Sequence, residues 1–209
     1  MAVDAAYATA AEYRSRAGQS DATDTTLLDA LLAAVSRLIE RESERFFGID
    51  AAVVARLYDG NGLTRLYIDD VATATGLIVK ADLDDDYAFT GADETLTQDT
   101  HYWIGPANAA LGPEVSPFRF LDIVPANGRL SAWPSGLRKV QVTAKFGWAA
   151  VPPAIKEATV LVTRELRDLE KAGFTLSLEN IDQAVNLSPA AFSLIQRIKA
   201  EYGRRRLFV

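Results

Sequence analysis

The stretch from Leu27 to Ile39 constrains the fold more than any other part of the chain. Its apolar residues are Leu27, Leu28, Leu31, Leu32, Val35, Leu38 and Ile39, spaced by 1, 3, 1, 3, 3 and 1. That spacing is one wide apolar stripe of 3.6-residue period, the mark of an amphipathic helix. Arg37, Glu40, Arg41, Glu42 and Glu44 sit mostly opposite it. The pattern predicts a helix that starts between Asp24 and Thr26, runs to about Arg45 and is closed by Phe46-Phe47-Gly48. Ahead of it, Thr9 followed by Glu12 fits a capping box, opening a short helix through Ala17 that Gly18 ends.

From Ala51 to Phe146 the period changes. Val53 to Tyr58 and Leu63 to Ile68 are β-rich runs around Asp59-Gly60-Asn61-Gly62, a hairpin signal. Short runs follow at Gly76 to Val79, Tyr87 to Phe89, His101 to Ile104, Phe118 to Ile123 and Lys139 to Phe146. In the last, Val140, Val142, Ala144 and Phe146 fall on one face. Helix returns after Val151-Pro152-Pro153, from Ala154 to Lys171, where Ala172-Gly173 ends it. Phe174 to Leu187 reads as a loop. Ser188-Pro189 is an N-cap with proline at the first helical position. It opens a last helix, Ala190 to Tyr202, with Phe192, Ile195 and Ile198 on one side and Gly203 as its stop. The expected fold class is α+β: a helical bundle from residues 1–49 and 151–203, an inserted antiparallel β-sheet or small barrel at 50–150, and a tail at 204–209.

Composition then removes function classes. Cysteine is absent and His101 is the single histidine, which excludes disulfides, thiolate or multi-histidine metal sites and a cysteine nucleophile. No apolar run approaches the roughly 18–20 residues of a membrane span. The start of the chain lacks a basic head followed by an apolar stretch, so no signal peptide is expected. The net charge of −6 disfavours general nucleic-acid binding. Charge is also uneven. Residues 50–100 carry 11 acids and 3 bases, while five bases stand against Glu201 from Arg197 onward. Two surfaces of opposite character, meeting solvent, different partners or each other across a subunit boundary, are the readings this allows.

The search for catalytic chemistry finds none. Asp82-Leu83-Asp84-Asp85-Asp86 has the alternating acids of an EF-hand loop, but the glycine position holds Tyr87 and the twelfth holds Asp93. An acidic turn between strands is the reading adopted, with a loosely bound cation as the other; no metal or cofactor is assigned. His101 has no serine or cysteine motif to serve and reads as structural. No GxSxG, no phosphate loop and no GxGxxG after a strand is present. Trp103, Trp133 and Trp148 read as packing residues or else as a binding platform. The chain is therefore expected to work by contact and not as an enzyme. The tail, Arg204-Arg205-Arg206-Leu207-Phe208-Val209, joins a basic tract to an apolar tip and suits docking on a neighbour, its arginines pairing with carboxylates.

One resemblance bears on that contact. Val142-Thr143-Ala144-Lys145-Phe146-Gly147-Trp148, then Val151-Pro152 and a helix beginning Ala154-Ile155-Lys156-Glu157-Ala158, resembles the head–tail connector (adaptor) proteins of long-tailed bacteriophages. Ala34, Ile39-Glu40 and Arg45-Phe46-Phe47 resemble the first long helix of that family. The likeness covers about residues 1–50 and 138–172 and is weak over the insertion. It implies a structural protein of the virion neck, assembled in the host cytoplasm. Such adaptors form a homo-oligomeric ring of about twelve copies under the portal protein. The ring extends the DNA channel, through which DNA passes without sequence-specific binding, and receives a stopper or tail-completion protein. Residues Arg204 to Val209 would then dock to the portal or a neighbour. Asp82, Asp84, Asp85 and Asp86 would form an acidic channel or interface patch. The competing expectation is a carbohydrate- or receptor-binding module built on the β insertion.

Overall fold

The computed structural model describes residues 6–18, 24–91, 94–109, 115–125, 129–171 and 188–203. The chain divides into two compact units. One is Gly48–Ala150; the other comprises the described residues up to Phe47 and from Val151 onward. Among the described residues there are four helices and seven strands, an α+β fold.

The helical unit opens with α1 (Ala10–Ala17), and both halves of the capping box are made: the Thr9 side chain accepts from the Glu12 amide and Glu12 accepts from the Thr9 amide. Gly18 ends it at φ 64°, left-handed. Helix α2 (Thr25–Ser43) buries Leu28, Leu31, Leu32, Val35, Leu38 and Ile39 as one stripe. It stops two residues before the expected Arg45, because Glu44 turns left-handed at φ 54° and the Ser43 hydroxyl bonds back to the Ile39 carbonyl. Helices α3 (Pro153–Lys171) and α4 (Pro189–Tyr202) both pack on α2 and on each other, and α1 packs on α2 and α3. The buried stripe of α4 is Ala191, Ile195, Ile198 and Tyr202; Phe192, expected with them, is 57% exposed. The sequence offers apolar residues on two sides of this helix, and periodicity alone does not say which side α2 and α3 cover.

Polar hooks complete this unit. Ser36, buried within α2, donates to the Leu32 carbonyl and accepts from the Tyr7 amide at 2.9 Å. The Tyr7 hydroxyl donates to Glu40 and accepts from the Phe47 amide. Burial, then the hydrogen bond and charge of Glu40, push the Tyr7 hydroxyl above its ordinary pKa; burial raises Glu40 likewise, against Tyr7 and Arg37. Phe47 stands edge-on to Tyr7 and to Tyr202, and Arg45 donates to the Tyr202 carbonyl. Ser188, the N-cap of α4, donates its amide and hydroxyl to Glu165 on α3.

The β unit holds two antiparallel sheets with one shared core, and among the described residues they close into no barrel. The first has the order β1 (Val54–Asn61), β7 (Ser135–Ala144), β3 (Ile78–Ala81), β4 (Thr95–Leu96). The second has the order β2 (Arg65–Val71), β6 (Phe118–Ile123), β5 (Tyr102–Gly105). Leu66, Ile68, Val71, Val79, Leu121, Ile123, Trp133, Val140, Val142 and Phe146 are buried together. The alternation of Val140, Val142, Ala144 and Phe146 is thus the buried face it was expected to be.

The expected β1–β2 hairpin does not form: β1 pairs with β7 and β2 with β6. The DGNG tract turns the chain from one sheet into the other. Asn61 holds that corner, donating to the Arg65 carbonyl and accepting from the Leu63 amide. A side chain at Gly60 would place its Cβ 1.6 Å from the Pro134 carbonyl oxygen, so glycine serves close approach to β7 there and not a hairpin turn. Tyr87 to Phe89 is no strand either. Asp85, Tyr87 and Phe89 all have positive φ, which breaks any strand.

Candidate functional site

Strand register builds the acidic loop. Antiparallel pairing sets Ala81 on β3 opposite Val140 on β7, and the Asp82 amide extends the ladder to the Lys139 carbonyl. Asp82 and Lys139 therefore meet side by side. Pairing of Val79 with Leu96 and Lys80 with Thr95 returns the chain beside its starting point, so Glu94 stands next to the entry of the loop it closes. Asp82, Asp84, Asp86 and Glu94 each present a carboxylate oxygen within 4.8 Å of the others.

The four environments differ. Asp82 is 1% exposed and Glu94 2%, while Asp84 and Asp86 are exposed. The Lys139 ammonium bonds Asp82 Oδ2 at 2.6 Å and Asp85 Oδ1 at 2.5 Å, and lies 3.9 Å from the centre of the Tyr87 ring. Both side chains of this pair are closed off from solvent. Burial works against the Asp82 charge. The hydrogen bond and charge of Lys139, helped by the nearby Asp85 and Tyr87 amides, nonetheless hold its carboxyl below the ordinary aspartate value. The hydrogen bonds of Asp82 and Asp85 raise Lys139 above the ordinary lysine value.

Of the expected acidic patch, Asp84, Asp85 and Asp86 lie on the surface, whereas Asp82 is buried and committed to Lys139. Glu94 and Lys139 were not singled out from the sequence. Glu94 sits one residue beyond the EF-hand template, where a search for wider acidic spacings would find it. Nothing local marks Lys139, which register alone delivers. The docking tail Arg204 to Val209 lies outside the described residues.

The remaining candidates have structural employment. His101 Nδ1 accepts from the Thr97 amide at 2.8 Å and closes the turn ahead of β5. Trp133 is 1% exposed, with its indole N–H donating to the Leu121 carbonyl. Trp148 is buried too, and only Trp103, at 47%, faces solvent. The three do not make one exposed platform. Arg56 ties Asp50 and Asp69 together at 3.1 and 3.0 Å, with Tyr58 donating to Asp69. On the helical unit, Leu161, Arg164, Glu165, Asp168, Leu169 and Ser188 line an open groove. No helix among the described residues is long and apolar enough to cross a membrane.

The Val142 to Trp148 part of the connector resemblance is bound tightly into the β unit. Gly147 donates to the Asp70 carbonyl at 2.7 Å with φ 107°, and Trp148 donates to Gly48 at 2.7 Å. A Cβ at Gly147 would lie 1.9 Å from the Gly48 carbonyl oxygen, so this turn admits glycine alone without rearrangement.

No protein-family model matches the chain, and no curated protein matches it. Among solved structures, it is similar to a chain in the neck of an empty GTA (gene transfer agent) particle computed with C6 symmetry. The TM-score is 0.54 at 16% identity, over 95% of this chain and 91% of that one. At this identity the likeness is one of fold, and it runs through the β unit as well as the helices.

Proposed function

We propose that the chain is a structural protein of a bacteriophage-type virion neck. In this reading it forms a ring under the portal, extends the DNA channel and links the head to a stopper or tail-completion protein. The observation that carries it is the likeness of fold to a particle neck over nearly the whole chain. The Gly147-Trp148 junction and first long helix support it from the sequence side. A neck with six-fold symmetry is compatible with about twelve copies, and a closed ring needs only one heterologous interface repeated around its axis.

The proposal assigns no catalysis and no cofactor to the chain, and a virion location. DNA would pass through the ring without sequence readout. Residues Arg204 to Val209 are assigned to docking on the portal or a neighbour. The exposed acids Asp84, Asp85 and Asp86 are assigned to the channel wall or to a subunit contact. The alternative ligand-binding reading loses its main asset, since Trp133 and Trp148 are core residues.

The test is native mass spectrometry over a range of concentrations, alone and with the portal of the same particle. A discrete ring of about twelve subunits in either case is the expected result. A chain that stays monomeric with and without portal overturns the proposal. Deleting Arg204 to Val209 is expected to leave the fold intact and abolish portal binding.

A further inference from the structure

We propose that the four carboxylates Asp82, Asp84, Asp86 and Glu94 between β3 and β4 form a site for one divalent cation of the calcium class. This inference goes beyond the neck reading and does not depend on it.

The first observation is geometric. Calcium takes oxygen ligands at about 2.3–2.6 Å, so two ligands on opposite sides of one ion lie about 4.8 Å apart. The four carboxylate oxygens all fall within 4.8 Å of one another, the span of one such coordination sphere. The donor set is entirely carboxylate, which selects hard cations over zinc or copper.

The second observation is independent of clustering. Glu94 Oε1 is buried and accepts no hydrogen bond; Asp82 Oδ1 is buried too, with the Asp85 and Tyr87 amides near the carboxylate but neither in hydrogen-bonding geometry to that oxygen. Each carboxylate has its other oxygen satisfied, Asp82 Oδ2 by Lys139 and Glu94 Oε2 by the Gly91 amide at 2.7 Å. A buried charged oxygen without a donor is costly, and here two such groups sit in one loop beside two further acids. Lys139 does not answer for them, because its bonds go to Asp82 Oδ2 and Asp85 Oδ1. Asp84, Asp86 and Glu94 have no ion pair among the described residues, so three of the four clustered carboxylates carry no partner cation. A bound cation supplies what both orphaned oxygens lack.

The loop also explains why the EF-hand template misses it. That template wants glycine at its sixth position for a sharp turn. Tyr87 stands there and adopts the left-handed conformation itself, at φ 61°. The acid that closes the loop is displaced by one position, from Asp93 to Glu94, because Glu94 immediately precedes β4 and is fixed by the β3–β4 pairing. The result is a loop of the same logic on a strand-to-strand frame.

The test is isothermal titration of the full chain, stripped with a chelator, with calcium chloride and with magnesium chloride. One calcium per chain is expected, with magnesium at least about tenfold weaker, since magnesium demands a stricter octahedron. The paired variant Asp84→Asn/Asp86→Asn changes two exposed residues and leaves the core alone. It is expected to unfold in chelator at a urea concentration no lower than the parent's, and to bind calcium at least about tenfold more weakly. Calcium is expected to raise the thermal midpoint of the parent and not of Glu94→Gln. Absence of saturable binding up to about 10 mM calcium, beyond the weakest functional sites, overturns the proposal. So does a paired variant that binds as the parent does.

Discussion

The two units of this chain are held by different means. The β unit rests on one apolar core shared by two sheets, with Trp133, Tyr102, Leu121 and Phe146 wholly buried in it. Its buried charge is concentrated at Lys139 and the acids around it. The helical unit has apolar stripes as well, but its helices are also latched by polar groups. Tyr7 bridges Glu40 and Phe47, Ser36 takes the Tyr7 amide, and Ser188 ties α4 to Glu165. Sheets obtain their cohesion from backbone pairing and need side chains mainly to fill space. Helices satisfy their backbones internally, so side chains must also fix how one helix sits on another.

The sharpest way to break this contrast is Trp133→Ala. Emptying that site and removing the indole bond to the Leu121 carbonyl is expected to cost about 3–5 kcal/mol, read as a fall in the urea midpoint followed by tryptophan fluorescence. A loss no larger than that of a helical latch would mean the β core is not the stronger device.

Acid is the second probe, and its sign is fixed. The folded pKa of Asp82 is lowered, so its contribution is fully present above the unfolded aspartate value near 3.9 and is lost as pH falls through the folded value. The parent is expected to lose stability below about pH 4 more steeply than Asp82→Asn. Parallel pH profiles in the two proteins would remove Asp82 from the account.

On the helical side, Tyr7→Phe keeps the ring against Phe47 and removes only the hydroxyl. Glu40 and the Phe47 amide are left short of a partner, at an expected cost of about 1–3 kcal/mol, measured by equilibrium denaturation. Smallest is Arg16→Ala. Its pair with Glu157 is 2.6 Å long but exposed on both sides, and a change below about 0.5 kcal/mol is expected. A larger effect there would show that surface charge, and not the buried latches, organises the helices.

Legibility in the sequence follows the same division. The capping box at Thr9 and Glu12, the stripe of α2 and the cap at Ser188 are local, and each could be read from neighbouring residues. The alternating face of β7 was equally local. Pairing is not. The DGNG tract carries a true turn signal but no record of which strand lies beyond it, so a corner between sheets looks like a hairpin. The acidic loop shows the same limit: Asp84 and Asp86 are legible as acids, but Lys139 joins them only through the β3–β7 register, across 57 residues. Phe192 fails for another reason, since an apolar residue beside a stripe does not state whether it is covered.

The strand order β1-β7-β3-β4 has a consequence in time. The inner strand β7 of that sheet is the last of the seven described strands to leave the ribosome. Until Ser135 to Ala144 emerge, β3 can pair with β4, but β1 and β3 have no common partner and the sheet cannot be completed. Strand β1 and one edge of β3 must therefore wait, unpaired, for the ten residues of β7, which makes this sheet the slow-folding and aggregation-exposed part of the newborn chain.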